Sequence, residues 1–147
     1  MATGAEVDAK IDEYVSKFRK SGLAPFQRSQ RYSLFPPEES TEPKWPETYP
    51  NSERAGVYLI FDEEMILLYV GKASMGSCIG SRLGSYFAYA SDRKTCQLKH
   101  EWKKGQPRYV ITVAVPEDSP FEAPALEEYL IAAFGNTLEN KVGTTRQ

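Results

Sequence analysis

Apolar residues follow one another almost without interruption in two neighbouring parts of the chain. Residues 56–61 read GVYLIF and residues 65–70 read MILLYV, with a short acidic turn between them. Continuous runs rich in β-branched and aromatic residues are typical of strands buried on both faces. A third run, RYVITVAV at residues 108–115, alternates as a half-buried strand does. These runs predict three strands, and the short connection between the first two predicts a hairpin.

Helical spacing of apolar residues marks four other segments. They are residues 5–22, 78–90, 92–104 and 119–136. In each of them apolar side chains recur three or four positions apart, which places them on one face of a helix. The predicted elements therefore follow the order helix, strand, strand, helix, helix, strand, helix.

Residues 25–50 carry six of the ten prolines in the chain. Proline lacks the backbone N–H that helix interiors and central strands require, so neither element is expected there. Aromatic residues are interspersed in the same stretch, among them Tyr32, Trp45 and Tyr49. A disordered linker is poor in such residues. We therefore expect an extended segment that lies on the surface of the following domain.

The predicted fold belongs to the α+β class and is an α/β sandwich. A small three-stranded antiparallel sheet is flanked by helices on both faces. An N-terminal extension, residues 1–53, consists of a helix and the proline-rich segment and packs on a domain of residues 54–147. That domain has a normal size for a single hydrophobic core.

Composition narrows the class of protein. The chain has 147 residues, of which 41% are hydrophobic and 26% charged, as in ordinary soluble globular proteins. No apolar run approaches the roughly 18 residues of a membrane span, and the N-terminus lacks the apolar core of a secretory signal. Cys78 and Cys96 have no metal-ligand spacing, and His100 is the single histidine. These features favour a cytoplasmic protein without a disulfide scaffold or a histidine metal cluster.

Charge is distributed unevenly along the chain. The net charge is −2, but residues 72–108 contain eight basic and two acidic residues. This segment is either a solvated helix face or a surface that binds nucleic acid. The candidate nucleic-acid contacts in it are Arg93, Lys94, Lys99, Lys103 and Lys104.

Each apolar run of the predicted hairpin carries a tyrosine close to a glycine. If Glu63-Glu64 is a two-residue loop, Tyr58 lies directly across from Tyr69, with their Cβ atoms roughly 4.5–5.5 Å apart on one face. Such a pair is either aromatic packing or part of a site. On the following predicted helix, Arg82 and Tyr86 are four residues apart and share a face.

Glu127 lies in an unusual place on the last predicted helix. It falls in a row with Ile131 and Phe134, within or beside the apolar stripe. A carboxylate in such a position is costly unless it is paired or binds a metal. Its neighbour Glu128 fits a solvated face.

These residues, in this order and spacing, resemble the GIY-YIG nuclease domain. The resemblance is closest to the N-terminal incision domain of UvrC-type bacterial excision-repair nucleases, and it covers roughly residues 55–140. This chain departs from the family in a longer SMGSCIG stretch after Lys72 and in the GNTLEN sequence that ends at Asn140. The matching motifs are Gly56-Val57-Tyr58, Tyr69-Val70-Gly71-Lys72-Ala73, Arg82-Leu83, Tyr86-Phe87, Glu127 with Ile131, and Asn140.

The resemblance implies a phosphodiesterase site that depends on Mg²⁺ or Mn²⁺. Glu127 would bind the metal, since hard divalent cations take carboxylate and water oxygens. Tyr58 or Tyr69 would deprotonate or position the attacking water. Lys72 and Arg82 would lower the pKa of that tyrosine or stabilise the transition state.

Three further positions complete the implied site. Tyr86 would orient a phosphate or the nucleophile, and Asn140 would form a hydrogen bond within the site. Gly71 would let the backbone approach the scissile phosphate.

Two classes of function follow. The first is a DNA endonuclease of the repair, restriction or mobile-element type, acting as a monomer or homodimer, with a partner protein as one source of specificity. The second is a module of the same fold that binds nucleic acid or a partner without cleaving. Residues 1–50 lie outside the resemblance and either control access to the basic surface or only stabilise the domain.

Overall fold

The centre of the fold is the strand β3 (Gly56–Phe61), whose six residues are all buried. The computed structural model describes residues 1–35, 41–91 and 96–140. A strand buried on both faces requires a layer on each side of its sheet, and the prediction of such strands is confirmed for β3. The protein has a mixed α+β fold with an antiparallel sheet and helices.

The main sheet has five strands rather than the predicted three. The three predicted strands are present and adjacent, with β3 between β4 (Leu67–Ala73) and β7 (Tyr109–Ala114). Two strands of two residues, β1 (Gln27–Arg28) and β2 (Tyr32–Ser33), add to β7. The four pairings between these described strands are antiparallel. The extra strands were missed because two-residue strands leave no periodic signal.

The register of the β3–β4 hairpin differs from the prediction. Tyr58 pairs with Gly71, and Ile60 pairs with Tyr69. The predicted pairing of Tyr58 with Tyr69 is therefore wrong by two residues. Because side chains alternate with a period of two, this shift leaves both tyrosines on the same face.

The cause of the shift lies in the connection between the strands. The Asp62 carboxylate accepts hydrogen bonds from the backbone N–H groups of Glu64 and Ile66, at 2.9 Å each. Met65 adopts a left-handed conformation with φ of 60°. A β-bulge shifts the pairing by one residue between Ile60 and Phe61, directly before the turn. The turn is thus longer than a two-residue loop.

Two hydrophobic layers cover the sheet. On one face lie α1 (Gly4–Phe18) and α3 (Glu122–Phe134), which pack against Val57, Leu59 and other residues of the sheet. On the other face lie α2 (Ile79–Gly84) and a small hairpin of β5 (Phe87–Tyr89) and β6 (Cys96–Leu98). A single 3-10 turn, Gly135–Thr137, follows α3.

The helix predicted at residues 92–104 is wrong. Residues 96–98 form β6, and no helix is present among the described residues of that segment. Along β6, Cys96 is buried and Gln97 exposed, which is the alternation of a strand. The predicted helix at 78–90 is also too long, since α2 ends at Gly84 and β5 follows.

The proline-rich segment enters the core more deeply than expected. Its two short strands are extended, as predicted, but Tyr32 and Leu34 are completely buried in the layer that contains Tyr58. The expectation that this segment only lies on the surface is therefore wrong for these residues. Within the described parts of the chain, no helix has the length and apolar character needed to cross a membrane.

Candidate functional site

A pocket of about 200 Å³ lies beside β4, the edge strand of the main sheet. Because β4 is at the edge and contacts both α2 and α3, side chains from both layers reach this pocket. The lining consists of Tyr58, Tyr69, Gly71, Lys72, Ala73, Ser74, Ser77, Arg82 and Glu127. Six of these were identified from the sequence as candidate site residues. The pocket therefore joins candidates that are up to 69 positions apart in the chain.

Tyr58, Tyr69 and Tyr86 form a cluster connected by their hydroxyl groups. The Tyr58 hydroxyl donates to that of Tyr86 at 3.2 Å, and the hydroxyls of Tyr69 and Tyr86 are 2.9 Å apart. The rings of Tyr58 and Tyr69 are stacked, with centroids 6.2 Å apart. Tyr86 is thus the shared hydrogen-bond partner of the two pocket tyrosines.

Gly71 has a packing reason to be glycine. A Cβ atom at this position would lie 2.1 Å from Cζ and 2.3 Å from the hydroxyl oxygen of Tyr58. Cβ atoms essentially never come so close to a non-bonded heavy atom, so the ring of Tyr58 in this position requires the absence of a side chain at position 71. Glycine at this place therefore determines where the Tyr58 hydroxyl lies.

Glu127 supplies the carboxylate of the pocket. It is half-buried on α3 and forms no hydrogen bond or close ion pair with the described residues. Burial raises the pKa of the Glu127 carboxyl, whereas the positive charges of Lys72 and Arg82 lower it. The carboxylate oxygens are consequently available to a ligand.

The positive groups of the pocket come from two elements. Lys72 lies on β4, and its ammonium donates to the Ser74 hydroxyl at 3.3 Å. Arg82 lies on α2 with an exposed side chain. Two cations and the Glu127 carboxylate give this part of the pocket a net positive charge, which favours an anionic ligand.

The tyrosine hydroxyls are less acidic than expected. Burial, followed by the hydrogen bond with Tyr86, raises the pKa of Tyr58 and also that of Tyr69. The Arg82 charge lowers both pKa values, but its effect is smaller than that of burial. The predicted lowering of a tyrosine pKa by positive charge is thus present for Arg82, but burial outweighs it and the net pKa of both hydroxyls is raised. At neutral pH both hydroxyls are protonated and act as hydrogen-bond groups.

The donor set fits a hydrated Mg²⁺ ion. Within the described residues no group of three or more histidine, cysteine, aspartate or glutamate side chains could enclose a metal. Mg²⁺ does not need such a cage, because it is commonly held by one or two carboxylates together with waters and substrate phosphates. Glu127, with its unpaired oxygens facing a pocket, meets this requirement.

Asn140 lies next to the pocket but does not line it. Its side-chain oxygen accepts from the Val70 N–H at 3.1 Å, and its side-chain nitrogen donates to the Val70 carbonyl at 2.7 Å. Val70 stands between Tyr69 and Gly71 on the edge strand. The buried Asn140 therefore occupies the free backbone groups of this edge and holds the strand that carries the site.

Of the predicted nucleic-acid contacts, Gly71 lines the pocket, whereas the described lysines Lys99, Lys103 and Lys104 are not part of the lining. Lys99 donates to the Gly84 carbonyl at 2.7 Å, and Lys104 donates to the Asn136 carbonyl at 3.0 Å. Lys103 is exposed. The other two candidates, Arg93 and Lys94, lie outside the described residues.

Several residues in or around the pocket are not predicted as site residues from the sequence. Ser74 and Ser77 line the pocket, but serines in a loop carry no pattern that distinguishes them. Trp102 is buried, and its ring lies 6.0 Å from that of Tyr69. The ring of His100 lies 5.3 Å from that of Tyr86. The spacing of Leu98 and Trp102 predicts a helix, so the sequence does not indicate that Trp102 lies behind the tyrosines.

Comparison of the chain with family models, with curated proteins and with solved structures gave no match. The functional argument therefore depends on the pocket itself.

Proposed function

We propose that this protein is a metal-dependent endonuclease that hydrolyses phosphodiester bonds in DNA, with a GIY-YIG-like domain as its catalytic part. One observation carries the proposal. Four separate parts of the sequence, represented by Tyr58, Lys72, Arg82 and Glu127, contribute to one pocket beside the edge strand. These are residues of the motifs by which the sequence resembles that family.

The charges of the pocket suit a phosphodiester. Lys72 and Arg82 offer two positive groups to the phosphate oxygens, and guanidinium groups bind phosphate through paired hydrogen bonds. Neutralising charge at phosphorus is the main task of enzymes that transfer phosphoryl groups. Glu127 would hold Mg²⁺ or Mn²⁺, which when bound supplies further stabilisation of the negative charge that develops at phosphorus.

The tyrosines suit the task of holding the attacking water. In the reaction, a water oxygen forms a bond to phosphorus while the bond from phosphorus to the leaving sugar oxygen breaks, and the proton that the water loses is delivered to that sugar oxygen through solvent. Because Tyr58 and Tyr69 are protonated at neutral pH, their hydroxyls would orient this water rather than remove its proton as free phenolates. Tyr86 fixes the direction of both hydroxyls through the hydrogen bonds described above.

A second candidate is a module that binds nucleic acid or a partner without cleaving. It is favoured by the raised pKa values of Tyr58 and Tyr69, which keep both hydroxyls protonated at neutral pH, so that neither acts as a phenolate base. This candidate shares the positive pocket with the first and differs from it only in chemistry.

Incubation of the purified protein with supercoiled plasmid and with branched DNA separates the two candidates. The nuclease proposal predicts nicked and linear products with Mg²⁺ or Mn²⁺ and none with EDTA. Binding that weakens steeply with salt, without products in either metal, would favour the non-cleaving module. If the protein neither bound nor cleaved any of these DNAs, the nuclease proposal and the DNA-binding form of the second candidate would both be contradicted.

A further inference from the structure

A tight turn at the rim of the pocket has an unusual residue at its apex. In the turn Ser74–Ser77, the Ser77 N–H donates to the Ser74 carbonyl at 3.2 Å. The two central residues both have positive φ, 58° for Met75 and 86° for Gly76. Positive φ at both central positions is the pattern of a type I′ turn, where glycine, asparagine or aspartate is normally found. Methionine at the first of them is strained.

The Met75 side chain gains nothing from the rest of the fold. It is 93% exposed, the highest value among the large apolar side chains that the structure describes. Single exposed apolar residues are common on protein surfaces. Here, however, exposure is combined with a backbone conformation that disfavours the residue, so folding stability does not account for methionine at this place.

The position of the turn suggests what the side chain contacts. Both flanking residues, Ser74 and Ser77, line the pocket that contains Arg82 and Glu127. Met75 is therefore held one residue from the pocket rim, pointing away from the protein core into solvent. A DNA strand with its phosphate near Arg82 would bring neighbouring bases close to this side chain. The turn belongs to the SMGSCIG stretch in which the chain departs from the family it resembles.

We propose that Met75 is a wedge that enters the base stack beside the phosphate to be cleaved. The inference rests on the proposed nuclease function and names a specificity-determining residue for it. Proteins that kink DNA commonly insert an unbranched or branched apolar side chain, methionine among them, between base pairs. Opening a stacked step costs free energy, and this cost is smaller where a base is already unpaired. The preferred substrate is therefore duplex DNA with a weakened stack next to the cleavage site.

Three substitutions test the wedge. Met75→Asn removes the apolar side chain and retains a residue that tolerates the left-handed turn. Met75→Leu retains apolar bulk and serves as the conservative rescue. Phe121→Ala removes an exposed apolar side chain, 72% accessible, that is not part of the pocket lining. Thermal unfolding of each variant checks the fold, and Met75→Gly replaces Met75→Asn if the latter is unstable.

The measurement uses duplexes of defined sequence with 2-aminopurine placed near the mapped cleavage position, because the fluorescence of this base rises when it is unstacked. Fluorescence is measured in EDTA, so that the DNA is not cleaved. Cleavage rates are measured separately in Mg²⁺, on a fully paired duplex and on a duplex with a single-base bulge. We expect the wild type, Met75→Leu and Phe121→Ala to raise the fluorescence, and Met75→Asn not to. Met75→Asn should cleave the intact duplex about tenfold more slowly and the bulged duplex with a smaller loss.

The wedge and the nuclease proposal fail in different ways. If Met75→Asn raised the fluorescence and cleaved DNA as the wild type does, the wedge would be overturned. The nuclease proposal would be unaffected by that result. The absence of cleavage by the wild type on every duplex and with both metals would overturn the nuclease function and the wedge with it.

Discussion

Tyr58 lies directly opposite Gly71 in the β3–β4 hairpin, and its ring occupies the space that a side chain at position 71 would need. The position of the Tyr58 hydroxyl thus depends on a residue that has no functional group. This relationship links the packing of the sheet to the geometry of the pocket.

The substitution Gly71→Ala tests this link. The added methyl group would displace the Tyr58 ring, which we expect to cost about 1–3 kcal/mol in the free energy of unfolding. Misplacement of the hydroxyl should lower DNA cleavage by about a hundredfold. Gly84→Ala is the matched control, since a Cβ atom there meets no heavy atom within 4 Å. Urea unfolding and plasmid cleavage of both variants provide the comparison; equal behaviour of the two would contradict the packing role of Gly71.

The hydroxyl of Tyr86 should matter for activity more than for stability. Tyr86→Phe removes the shared partner of Tyr58 and Tyr69 and leaves the ring packing in place. We expect cleavage to fall about ten- to a hundredfold, because the two hydroxyls lose their fixed directions. The control is Tyr49→Phe, whose buried hydroxyl has no hydrogen-bond partner among the described residues.

The control variant also has a prediction of its own. Tyr49→Phe should keep full activity and gain up to about 1 kcal/mol in stability, since it removes an unsatisfied buried hydroxyl. If Tyr86→Phe cleaved at the wild-type rate, the hydroxyl cluster would have no part in the reaction.

A buried ion pair fastens the N-terminal helix to the helix that carries Glu127. Arg19 donates from Nε and from its terminal nitrogen to the two Glu122 oxygens, at 2.7 and 2.9 Å, and both side chains are almost fully buried. Arg19→Met leaves the buried Glu122 charge with only the Ser119 hydroxyl as a hydrogen-bond donor, which should cost about 3 kcal/mol. Lys17→Met, which breaks an exposed pair with Glu13, should leave stability nearly unchanged.

The same pair predicts a pH dependence. The hydrogen bond from Arg19 lowers the pKa of Glu122 below its ordinary value of 4.5. The stability that the Arg19–Glu122 pair contributes is therefore complete above pH 4.5, and it is lost as the pH falls through the lowered pKa of Glu122. The difference in unfolding free energy between wild type and Arg19→Met should shrink in that acidic range. A difference that is constant from neutral pH down to pH 2 would contradict the assignment.

Asn140 should act on stability through the edge strand. Asn140→Ala leaves the Val70 N–H and carbonyl without their side-chain partner, at a cost of about 2–3 kcal/mol. Asn140→Asp keeps an acceptor for the N–H but, when ionised, has no donor for the carbonyl. Protonation restores the donor, so the folded state favours the neutral acid and the stability lost by this variant should be regained as the pH falls. Urea unfolding as a function of pH measures the stability of this variant. An Asn140→Asp variant as stable as wild type at pH 7 would show that Asn140 does not hold the edge strand through the Val70 carbonyl.

The face shared by Tyr58 and Tyr69 could be predicted from the sequence, although their register could not. Side-chain alternation depends only on whether the shift is even or odd, and the observed shift is two residues. The turn that causes the shift depends on the hydrogen bonds of the Asp62 carboxylate and on the left-handed Met65, neither of which is visible as a pattern.

The helix predicted at 92–104 shows that the spacing of apolar residues does not distinguish a helix from a strand in a short segment. Leu98 and Trp102 are four residues apart, which suits a helix, but Cys96 and Leu98 also fit a strand with a period of two. Short segments of this kind are decided by tertiary packing, here the pairing of β6 with β5. The burial of Tyr32 is similar, because it depends on the addition of two residues to β7 rather than on any local signal.

The candidate site was predicted through the identity of its charged and aromatic residues. Glu127 was visible because a carboxylate in an apolar row is costly, and the structure places it in the pocket lining. Ser74 and Ser77 were not visible, since their place in the pocket follows from the turn around Met75. The pKa direction of the tyrosines depends on burial, which a sequence does not contain.

The nuclease proposal is tested most directly by comparing Glu127→Gln with Glu128→Gln in Mg²⁺-dependent cleavage of supercoiled plasmid. The two glutamates are neighbours on α3, but Glu127 lines the pocket and Glu128 is exposed. Glu127→Gln should be at least as stable as wild type at neutral pH, because burial raises the pKa of Glu127 and its ionised form is costly there. We predict that Glu127→Gln lowers the cleavage rate at least about a hundredfold and that Glu128→Gln leaves it unchanged. Cleavage by Glu127→Gln at the wild-type rate would contradict the account.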